Sequence, residues 1–392
     1  MDLLARVRDE IAFEGNVRKS YVYRFLMNFQ LWWPIWVVYL LKERGLSLTQ
    51  ITLLDTPYFI LMVLAEVPTG AIADRFGRRT ALIASSLLFA VAVFVFGIAD
   101  NYFIIIISYS AWGLATTFQS GADTALLYDS LKQIGREDDF QRINGRLWAF
   151  TSLAALLAIL LGAPLANATS LPFPILVSAG ICLLGVPVAA TMHEPRHAGD
   201  ENEEPYLQMV RTGLREAWNQ PALRYIIMFS GILWTATFGP MIFLQPFLRA
   251  HDVGIGALGF WQAPVRAAGI IAALLVARIV ARFGQRAAFF SMPLALAGCY
   301  FALAGIDHLW AYAAFLPVGM VAGMQNPVLE PTGGFVADQL GLRALFLMFA
   351  AICAVVATGT LWLWQRAEDH ELRTAAAIEA PGEAAPEPVA VS

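Results

Sequence analysis

Long apolar runs, separated by short polar stretches, make up most of the chain. Each run is close to the ~20 residues that an α-helix needs to cross the hydrocarbon core of a bilayer. The pattern therefore predicts an all-α fold, a polytopic bundle of membrane-spanning helices. We expect about eleven spans, at 20–41, 49–72, 80–99, 102–130, 144–167, 170–191, 223–248, 257–281, 287–306, 310–337 and 341–365.

Polar segments divide these spans into two sets. After the sixth span, a flexible acidic stretch leads into residues 206–218, where apolar residues recur at helical spacing and predict an amphipathic helix. The end of the chain is rich in Ala, Pro and Glu, a composition typical of disorder. We predict a cytoplasmic leader at 1–19, a six-helix half at 20–192, a cytoplasmic linker at 193–220, a second half of about five helices at 221–366 and a disordered tail at 367–392.

The composition supports a membrane protein. Only 14% of the 392 residues are charged and 58% are hydrophobic, whereas soluble proteins carry roughly 25% charged residues. The three cysteines, Cys182, Cys299 and Cys353, lie inside apolar runs. They are therefore predicted to be buried free thiols, not members of a disulfide framework or a metal site.

Positive charge is concentrated on alternate polar segments. The segment at 75–79 carries three arginines, and further Lys and Arg residues follow the fourth, sixth and eighth spans. Because cytoplasmic loops are enriched in Lys and Arg, this bias predicts a cytoplasmic N-terminus. We expect a multi-pass protein of the inner or plasma membrane. The segments on the opposite side hold Lys42, Arg44 and Arg249.

A glycine- and arginine-rich stretch, Gly70 to Arg79, lies between the second and third spans. It has the form G-x-x-x-D-R-x-G-R-R, and Ala281 to Arg286 repeats its second part without the acid. Each copy ends the second span of its set. A repeat at corresponding positions indicates a duplicated bundle.

These features resemble the major facilitator superfamily, whose signature loop between the second and third helices has this form. Ile72 stands where leucine is usual, and Arg79 stands where lysine is usual. The stretch from Ser120 to Leu131 is similar to a bacterial branch with uncharacterised and efflux-like members. The resemblance implies two six-helix halves that rock about a central solute site. The residues that it identifies as a gating motif are Gly70, Asp74, Arg75, Gly77, Arg78 and Arg79.

The second set of spans is one short of the six that the resemblance implies. The span 310–337 runs through Glu330, where relatives have a cytoplasmic loop and an eleventh helix. We therefore expect a deletion here, with the helix at 341–365 as the twelfth and the C-terminus outside. In relatives the acid of the motif is expected to contact the eleventh helix. Without that helix, we expect Asp74 to pair with a local arginine such as Arg78.

Ionisable side chains inside the spans are candidates for function because they are costly to place in lipid. Arg24 and Asn28 share one face of the first span, and Gln119 and Asp123 share one face of the fourth. Glu66 of the second span lies at the same depth. This placement predicts a buried ion pair or triad in the cytoplasmic third of the bundle.

The charged cluster has two interpretations that the sequence leaves open. It is either a charge-paired lock between helices or a proton-coupling site centred on Glu66 or Asp123. Asp55 lies eleven residues before Glu66 on the same face. It is a third coupling candidate, although its place near the outer end also fits a solvated side chain.

The later spans add a further cation to the candidate site. Arg266 has no acidic partner at its depth, so it is either a contact for an anionic solute or a partner of Glu330 or of backbone carbonyls. Aromatic residues of the seventh span fit either a cavity wall or the helix core. The substrate-binding candidates are Arg24, Asn28, Gln119, Trp234, Gln262 and Arg266.

Acidic and basic residues alternate after the fourth span. Asp138 and Asp139 lie close in sequence to Arg142 and Arg146. They fit a cytoplasmic layer of salt bridges that stabilises one gate state, or positive-inside charge alone.

Motifs for ATP-driven or enzymatic chemistry are absent from the sequence. It contains no phosphate-binding G-x-x-x-x-G-K-[ST], no nucleophile elbow and no paired metal ligands, so we expect no enzyme, cofactor or metal site. We expect a secondary active transporter of a small organic solute, with proton-coupled export as the leading hypothesis. The alternatives are an organic-anion uptake carrier and a degenerate, non-transporting membrane protein or sensor. The expected partners are the solute, protons and the lipid bilayer, without nucleic acid, and we expect a monomer.

Overall fold

The computed structural model of the chain describes residues 3–195, 215, 219, 236–237, 241–283, 285–306 and 308–322. These residues form α-helices and short 3-10 turns, with no strand among them, which confirms the all-α fold. A first helical group consists of α1 (Leu3–Asn28), α2 (Trp36–Lys42), α3 (Leu48–Leu53), α4 (Asp55–Phe76), α5 (Arg78–Ile98), α6 (Tyr102–Gln133), α7 (Phe140–Ala168), α8 (Pro172–Leu183) and α9 (Gly185–Ala190). A second helical group consists of α10 at 241–250, α11 (Leu258–Phe283), α12 (Gln285–Gly305) and α13 (Phe315–Ala322).

Many of these helices have the length and the apolar surface of membrane spans. Within the described residues, five stretches meet a strict requirement for length and mean hydropathy. Polar side chains keep the long helix α6 outside this set. Large apolar side chains such as Val63 and Phe103 point outward and are 69% and 72% exposed, as expected for helices that face lipid tails. The five stretches are Leu48–Glu66, Arg78–Ile98, Glu137–Ala168, Pro172–Ala190 and Ile255–Ala272.

Local capping explains where several helices begin. Ser47 and Gln50 form a capping box at the start of α3, in which each side chain accepts a hydrogen bond from the other residue's backbone N–H. The side chain of Asn101 accepts from the N–H of Phe103 and caps α6. Gly77 alone separates α4 from α5, with φ of +96°, a conformation that favours glycine.

The first predicted span is not one continuous helix. The sequence predicted a span at 20–41, but α1 ends at Asn28 and α2 begins only at Trp36. Pro34 lies in the gap and disfavours helix both at its own position and at the residue before it. At the other end, α1 starts at Leu3, so the predicted leader and the first span share one helix.

The bundle has two ends with different loops. The arginine-rich end holds the turn at Gly77, the loop at 134–139 and the residues at 191–195. The opposite end holds the loops at 43–47 and 99–101, together with those at 169–171 and 251–254. This alternation follows from antiparallel helices joined by short connections.

Glycine allows close helix contacts at two interfaces. A Cβ atom on Gly259 of α11 would lie 2.2 Å from the carbonyl oxygen of Ile159 on α7. A Cβ atom on Gly319 of α13 would lie 2.2 Å from the carbonyl oxygen of Val265. The first contact joins the two helical groups, and the second joins α11 to α13. Larger side chains at either glycine would force these backbones apart.

Several predictions fall outside the described residues. These are most of the linker with its amphipathic helix, most of the span at 223–248, the later part of the span at 310–337, and everything at 341–392, including the deletion expected near Glu330. Cys353 also falls there. The two cysteines that are described, Cys182 and Cys299, are free and buried, as predicted.

Candidate functional site

Arg24 and Asp123 form a buried ion pair between α1 and α6. Nε of Arg24 donates to Oδ2 of Asp123 at 2.7 Å, and the two side chains are only 6% and 11% exposed. Nη1 of Arg24 also donates to Oδ1 of Asn144 on α7, at 3.2 Å. Gln119 lies one turn before Asp123 on α6 and lines the same cavity. The pair therefore links three helices, and removing one partner alone would leave an unpaired buried charge at a cost of about 3–5 kcal/mol.

The ion pair lies in the wall of a cavity of about 500 Å³. Helices of the first group supply most of this wall, and Arg266 of α11 reaches it from the second group. The cavity therefore lies between the two helical groups. The lining residues are Arg24, Met27, Asn28, Gln30, Trp33, Phe89, Trp112, Thr116, Gln119, Ser120, Asp123, Thr124, Trp148, Thr151, Ala155, Ile159 and Arg266.

Arg266 is the residue of the second helical group that lines this cavity. The residue is exposed there although protein surrounds it. Among the described residues it forms neither an ion pair nor a hydrogen bond. An intramembrane arginine is normally paired, so its open donors are available to an anionic group inside the cavity.

Tryptophan and phenylalanine side chains form a rigid face of the cavity. Trp112 is held from behind by Trp32, Tyr58 and Tyr109, with ring centroids 5.1, 5.3 and 5.2 Å away. Phe89 meets Trp112 edge-on at 5.9 Å. Such tilted and edge-to-face contacts are the favoured geometry for aromatic pairs. We call the cavity-lining members of this cluster, Trp33, Phe89 and Trp112, the aromatic wall.

Two of the three predicted coupling carboxylates lie outside the ion pair. Glu66 is exposed and accepts a hydrogen bond from Oγ of Ser120 at 3.0 Å, so it does not join Arg24 in the predicted triad. Asp55, which the sequence left as either a coupling candidate or a solvated side chain, is buried and accepts from the hydroxyl of Tyr109 at 2.8 Å. Neither carboxylate lines the cavity. Asp123 is the only one among the described lining residues.

The substrate-binding candidates divide into two sets. Four of them, Arg24, Asn28, Gln119 and Arg266, line the cavity, and Nδ2 of Asn28 donates to the carbonyl oxygen of Arg24 at 2.9 Å. Gln262 is buried and faces backbone instead of the cavity. Trp234 lies outside the described residues.

Two glutamines of the second group hydrogen-bond the interrupted first span. Oε1 of Gln245 accepts from the N–H groups of Val37 and Val38 at 3.1 and 3.3 Å, and its Nε2 donates to the carbonyl of Trp33 at 3.0 Å. Nε2 of Gln262 donates to the carbonyl of Pro34 at 2.8 Å. We call this set of contacts the glutamine clamp. It lies between the cavity and the opposite end, beside the close contact of α11 with α7.

The glutamine clamp was not predicted from the sequence. A clue lies in the sequence, because Pro34 in the middle of an apolar run leaves backbone groups without helical partners. Those groups must find hydrogen bonds elsewhere when they are buried. The partner residues lie more than 200 positions away, so the sequence does not identify them.

The motif loop at the arginine-rich end makes contacts within the first group. The carboxylate of Glu194 accepts from the backbone N–H groups of Arg78 and Arg79 at 2.7 and 2.8 Å, at the start of α5. The side chain of Arg78 pairs with Asp129 of α6. The expected pairing of Asp74 with Arg78 is therefore wrong, since Asp74 is exposed and makes no ion pair with any described residue. Sequence reasoning missed Glu194 and Asp129.

The other members of the motif have mainly local roles. The guanidinium group of Arg75 lies 5.5 Å from the ring centroid of Phe76. Gly70 has open space where a Cβ atom would be, so no close helix contact depends on it. Gly77 leaves room for the side-chain carboxylate of Glu194, which lies against it.

Other charges at this end pair differently from the prediction. Arg136 contacts Asp139 at 2.8 Å and Glu14 of α1 at 3.2 Å. The described residues show no ion pair for Arg142 or Arg146, so they do not support the salt-bridge layer, which was one of the two interpretations of these charges. Burial, and then the charge of Arg79, lower the pKa of Lys19.

Comparisons with known proteins place these features in a family. The sequence matches the model of the Major Facilitator Superfamily over residues 25–330. It is 25% identical to the uncharacterized MFS-type transporter YxaM of Bacillus subtilis over 64% of this chain and 62% of that protein. It is 23% identical to the probable vesicular acetylcholine transporter-B of Danio rerio over 78% of this chain and 62% of that protein. The chain thus spans 62% of the length of each of these two relatives.

Solved structures share the architecture at low sequence identity. The superposition with the nucleoside transporter NupG covers 90% of this chain and 99% of the NupG chain, at a TM-score of 0.74 and 12% sequence identity. A bacterial homologue of the human lysosomal transporter Spinster, inward-facing and occupied, matches 91% of this chain and 96% of its own, at a TM-score of 0.68 and 13% identity. These two likenesses show the fold alone. Because the family model covers well over half of the 392 residues, the chain belongs to the major facilitator superfamily and is a multi-pass membrane protein.

Proposed function

We propose that the chain is a secondary active transporter that moves a small organic anion together with protons. The observation that carries this proposal is the cavity between the two helical groups, with Asp123 as the only carboxylate among its described lining residues. Its volume of about 500 Å³ falls within the ~300–1,000 Å³ of typical small-molecule sites. The proposed solute site therefore has both the size and the charge that coupling needs.

The positions of the contacts between the two helical groups determine which side of the membrane the cavity faces in alternating access. We place the arginine-rich end in the cytoplasm, because positive charge favours that side. The glutamine clamp and the contact between Gly259 and Ile159 then separate the cavity from the outside. Transport requires a second arrangement in which these contacts open, so that the cavity faces the other side.

Proton coupling is assigned to Asp123 with Arg24 as its partner. While Asp123 is ionised, the two charges neutralise each other across 2.7 Å. A proton on Asp123 removes the negative charge and leaves Arg24 with an unpaired positive charge beside the cavity. The cavity then attracts an anion more strongly, which links proton binding to solute binding. The alternative reading of the pair as a purely structural lock predicts no such link.

The same charges bear on the direction of transport. With Asp123 ionised, the described wall carries one surplus positive charge, from Arg266; with Asp123 protonated, it carries two. Proton and anion therefore favour each other's binding and move in the same direction. This supports organic-anion uptake over the proton-coupled export expected from the sequence, because export by exchange requires the solute and the proton to compete.

Purified protein in proteoliposomes, with a pH-sensitive dye inside, tests the proposal. Addition of a transported anion outside is expected to acidify the lumen, whereas exchange of solute for protons would make it alkaline. Asp123→Asn, and the charge-balanced pair Arg24→Gln with Asp123→Asn, are expected to abolish the pH change. Asp55→Asn is the matched control, since Asp55 is buried outside the cavity.

Three outcomes would contradict the proposal. Alkalinisation would support export. Anion uptake with an unchanged pH signal in the charge-balanced variant would remove Asp123 from the coupling mechanism. Failure of the reconstituted protein to move any anion, cation or neutral solute in a broad panel would favour the non-transporting alternative.

A further inference from the structure

We propose that the solute is an aromatic carboxylate, with its ring against the aromatic wall and its carboxylate on Arg266. This inference rests on the proposed function and narrows the class of anion. It joins two features of one cavity, an open guanidinium group from the second helical group and a fixed aromatic face from the first.

The positive charge of Arg266 favours a solute with an anionic end. Arg24 is occupied by Asp123 at 2.7 Å, whereas Arg266 has no charged partner among the described residues. A guanidinium group offers paired N–H donors whose geometry matches a carboxylate. A cation in the same cavity would meet the surplus positive charge, and a neutral solute would leave Arg266 unpaired.

Ring stacking selects the other end of the solute. Trp112 is fixed by its neighbours and does not need to be ordered when a ligand binds, and this preorganisation favours affinity. Phe89 and Trp33 contact Trp112, with ring centroids 5.9 and 6.4 Å away, and line the same cavity. A planar ring meets such a wall face to edge or offset-stacked, geometries that an aliphatic chain does not reproduce.

Arg266 and the wall come from different helical groups, so one ligand touches both. A solute that bridges them binds best while the groups are closed around the cavity. A rigid ring is well suited to this bridge, because it loses little conformational freedom on binding. The cavity volume of about 500 Å³ accommodates one or two fused rings with a carboxylate.

Calorimetric titration of the full chain in lipid nanodiscs tests the inference with four probes. The probes are 2-naphthoate, its uncharged amide, the corresponding naphthylmethylamine, and octanoate as an aliphatic anion. We expect 2-naphthoate to bind at least tenfold more tightly than each of the other three. Arg266→Gln is expected to weaken naphthoate binding at least tenfold and to leave amide binding unchanged.

Matched variants keep the test falsifiable. Arg278→Gln makes the same change on the same helix at an exposed residue away from the cavity wall, and it is expected to bind naphthoate like the wild type. Phe89→Leu and Trp112→Leu are expected to reduce the preference for naphthoate over octanoate. Phe89 is only 2% exposed and Trp112 is tightly packed, so Trp33→Leu, at a half-buried residue of the aromatic wall, is expected to reduce the same preference and decides the question if neither of the other variants folds.

The outcomes separate this inference from the proposed function. The inference that the solute is an aromatic carboxylate would be overturned by any of three results: equal binding of the amine or the amide, naphthoate binding that Arg266→Gln does not change, or no binding of naphthoate. Acidification of liposomes driven by another anion would still uphold the proposed function. Naphthoate binding with the expected variant pattern but without proton flux would support the ligand class and overturn the coupling.

Discussion

The glutamine clamp supplies hydrogen bonds that the interrupted first span does not make internally. Gln245 accepts from the N–H groups of Val37 and Val38 and donates to the carbonyl of Trp33, and all four residues belong to the interface between the helical groups. Gln245→Met keeps a similar side-chain volume and removes every one of these bonds. We expect this variant to favour the arrangement in which the opposite end is open.

The magnitude follows from the groups left without partners. A buried N–H or C=O group that loses its partner costs about 1–3 kcal/mol. The bond from Val38 is the longest, at 3.3 Å, and shares its acceptor with Val37, so two groups are counted. The closed arrangement should lose about 2–6 kcal/mol relative to an open one in which water reaches these groups. Since 1.4 kcal/mol is a factor of ten, the equilibrium shifts about 30-fold to about 20,000-fold.

Chemical labelling measures this shift. A cysteine in place of Gln30, which lines the cavity, reports access for a membrane-impermeant maleimide added at the opposite end. The two described native cysteines are buried, and Cys353 is replaced by serine to remove its background. We expect Gln245→Met to raise the labelling rate at least tenfold. The control, Gln141→Met, changes an exposed glutamine near the arginine-rich end and should leave the rate unchanged.

A labelling rate within twofold of the wild type in a folded Gln245→Met variant would refute this reasoning. It would mean that water already satisfies the broken backbone, or that other contacts hold the end closed. Gln262→Met then provides the comparison, because it removes the bond to Pro34 at 2.8 Å and leaves those to Val37 and Val38. Two adjacent members of one network are expected to show non-additive effects.

Three further substitutions test other contacts. Gly259→Ala places a Cβ atom 2.2 Å from a carbonyl oxygen of α7. It should destabilise the closed arrangement by about 1–3 kcal/mol and raise the maleimide labelling rate of the cysteine at position 30. Gly254→Ala has open space for the added Cβ atom and should leave that rate unchanged. Glu194→Ala removes the cap on the first two N–H groups of α5 and should lower the free energy of unfolding by about 1–2 kcal/mol, whereas Glu137→Ala, at an exposed residue, should have little effect. Asp129→Asn breaks a half-buried ion pair with the motif and should lower thermal stability by an amount that decreases in high salt.

The sequence predicts which residues lie in the site better than it predicts which of those residues pair with each other. Helix length and direction fix how deep a side chain lies, so Arg24 and Asp123 were expected at one level, and they meet. Glu66 lies at a similar depth but contacts Ser120 instead. The rotation of a helix about its axis depends on packing against its neighbours, which a period of 3.6 residues does not specify for a helix with polar residues on several faces.

Contacts to backbone groups are the part that the sequence predicts least. Gln245 and Glu194 both bind N–H groups exposed where a helix begins, and these groups belong to every residue type. A proline such as Pro34 shows where such groups arise. It does not show which distant side chain satisfies them, because that depends on how the groups pack.

The two ends of the bundle are held by different kinds of interaction. At the opposite end, the contacts between the two helical groups that the described residues show are uncharged. They are hydrogen bonds from glutamine carboxamides to backbone groups, and a glycine packed against a carbonyl oxygen. At the arginine-rich end, the described charges pair inside the first group, with Asp129 on Arg78, and Asp74 stays exposed. Salt screens exposed charges far more than buried neutral hydrogen bonds. High ionic strength should therefore leave the closure at the opposite end largely intact. A state in which Asp74 pairs with the second helical group would lose stability. The equilibrium between these two states should therefore depend on salt through the arginine-rich end alone.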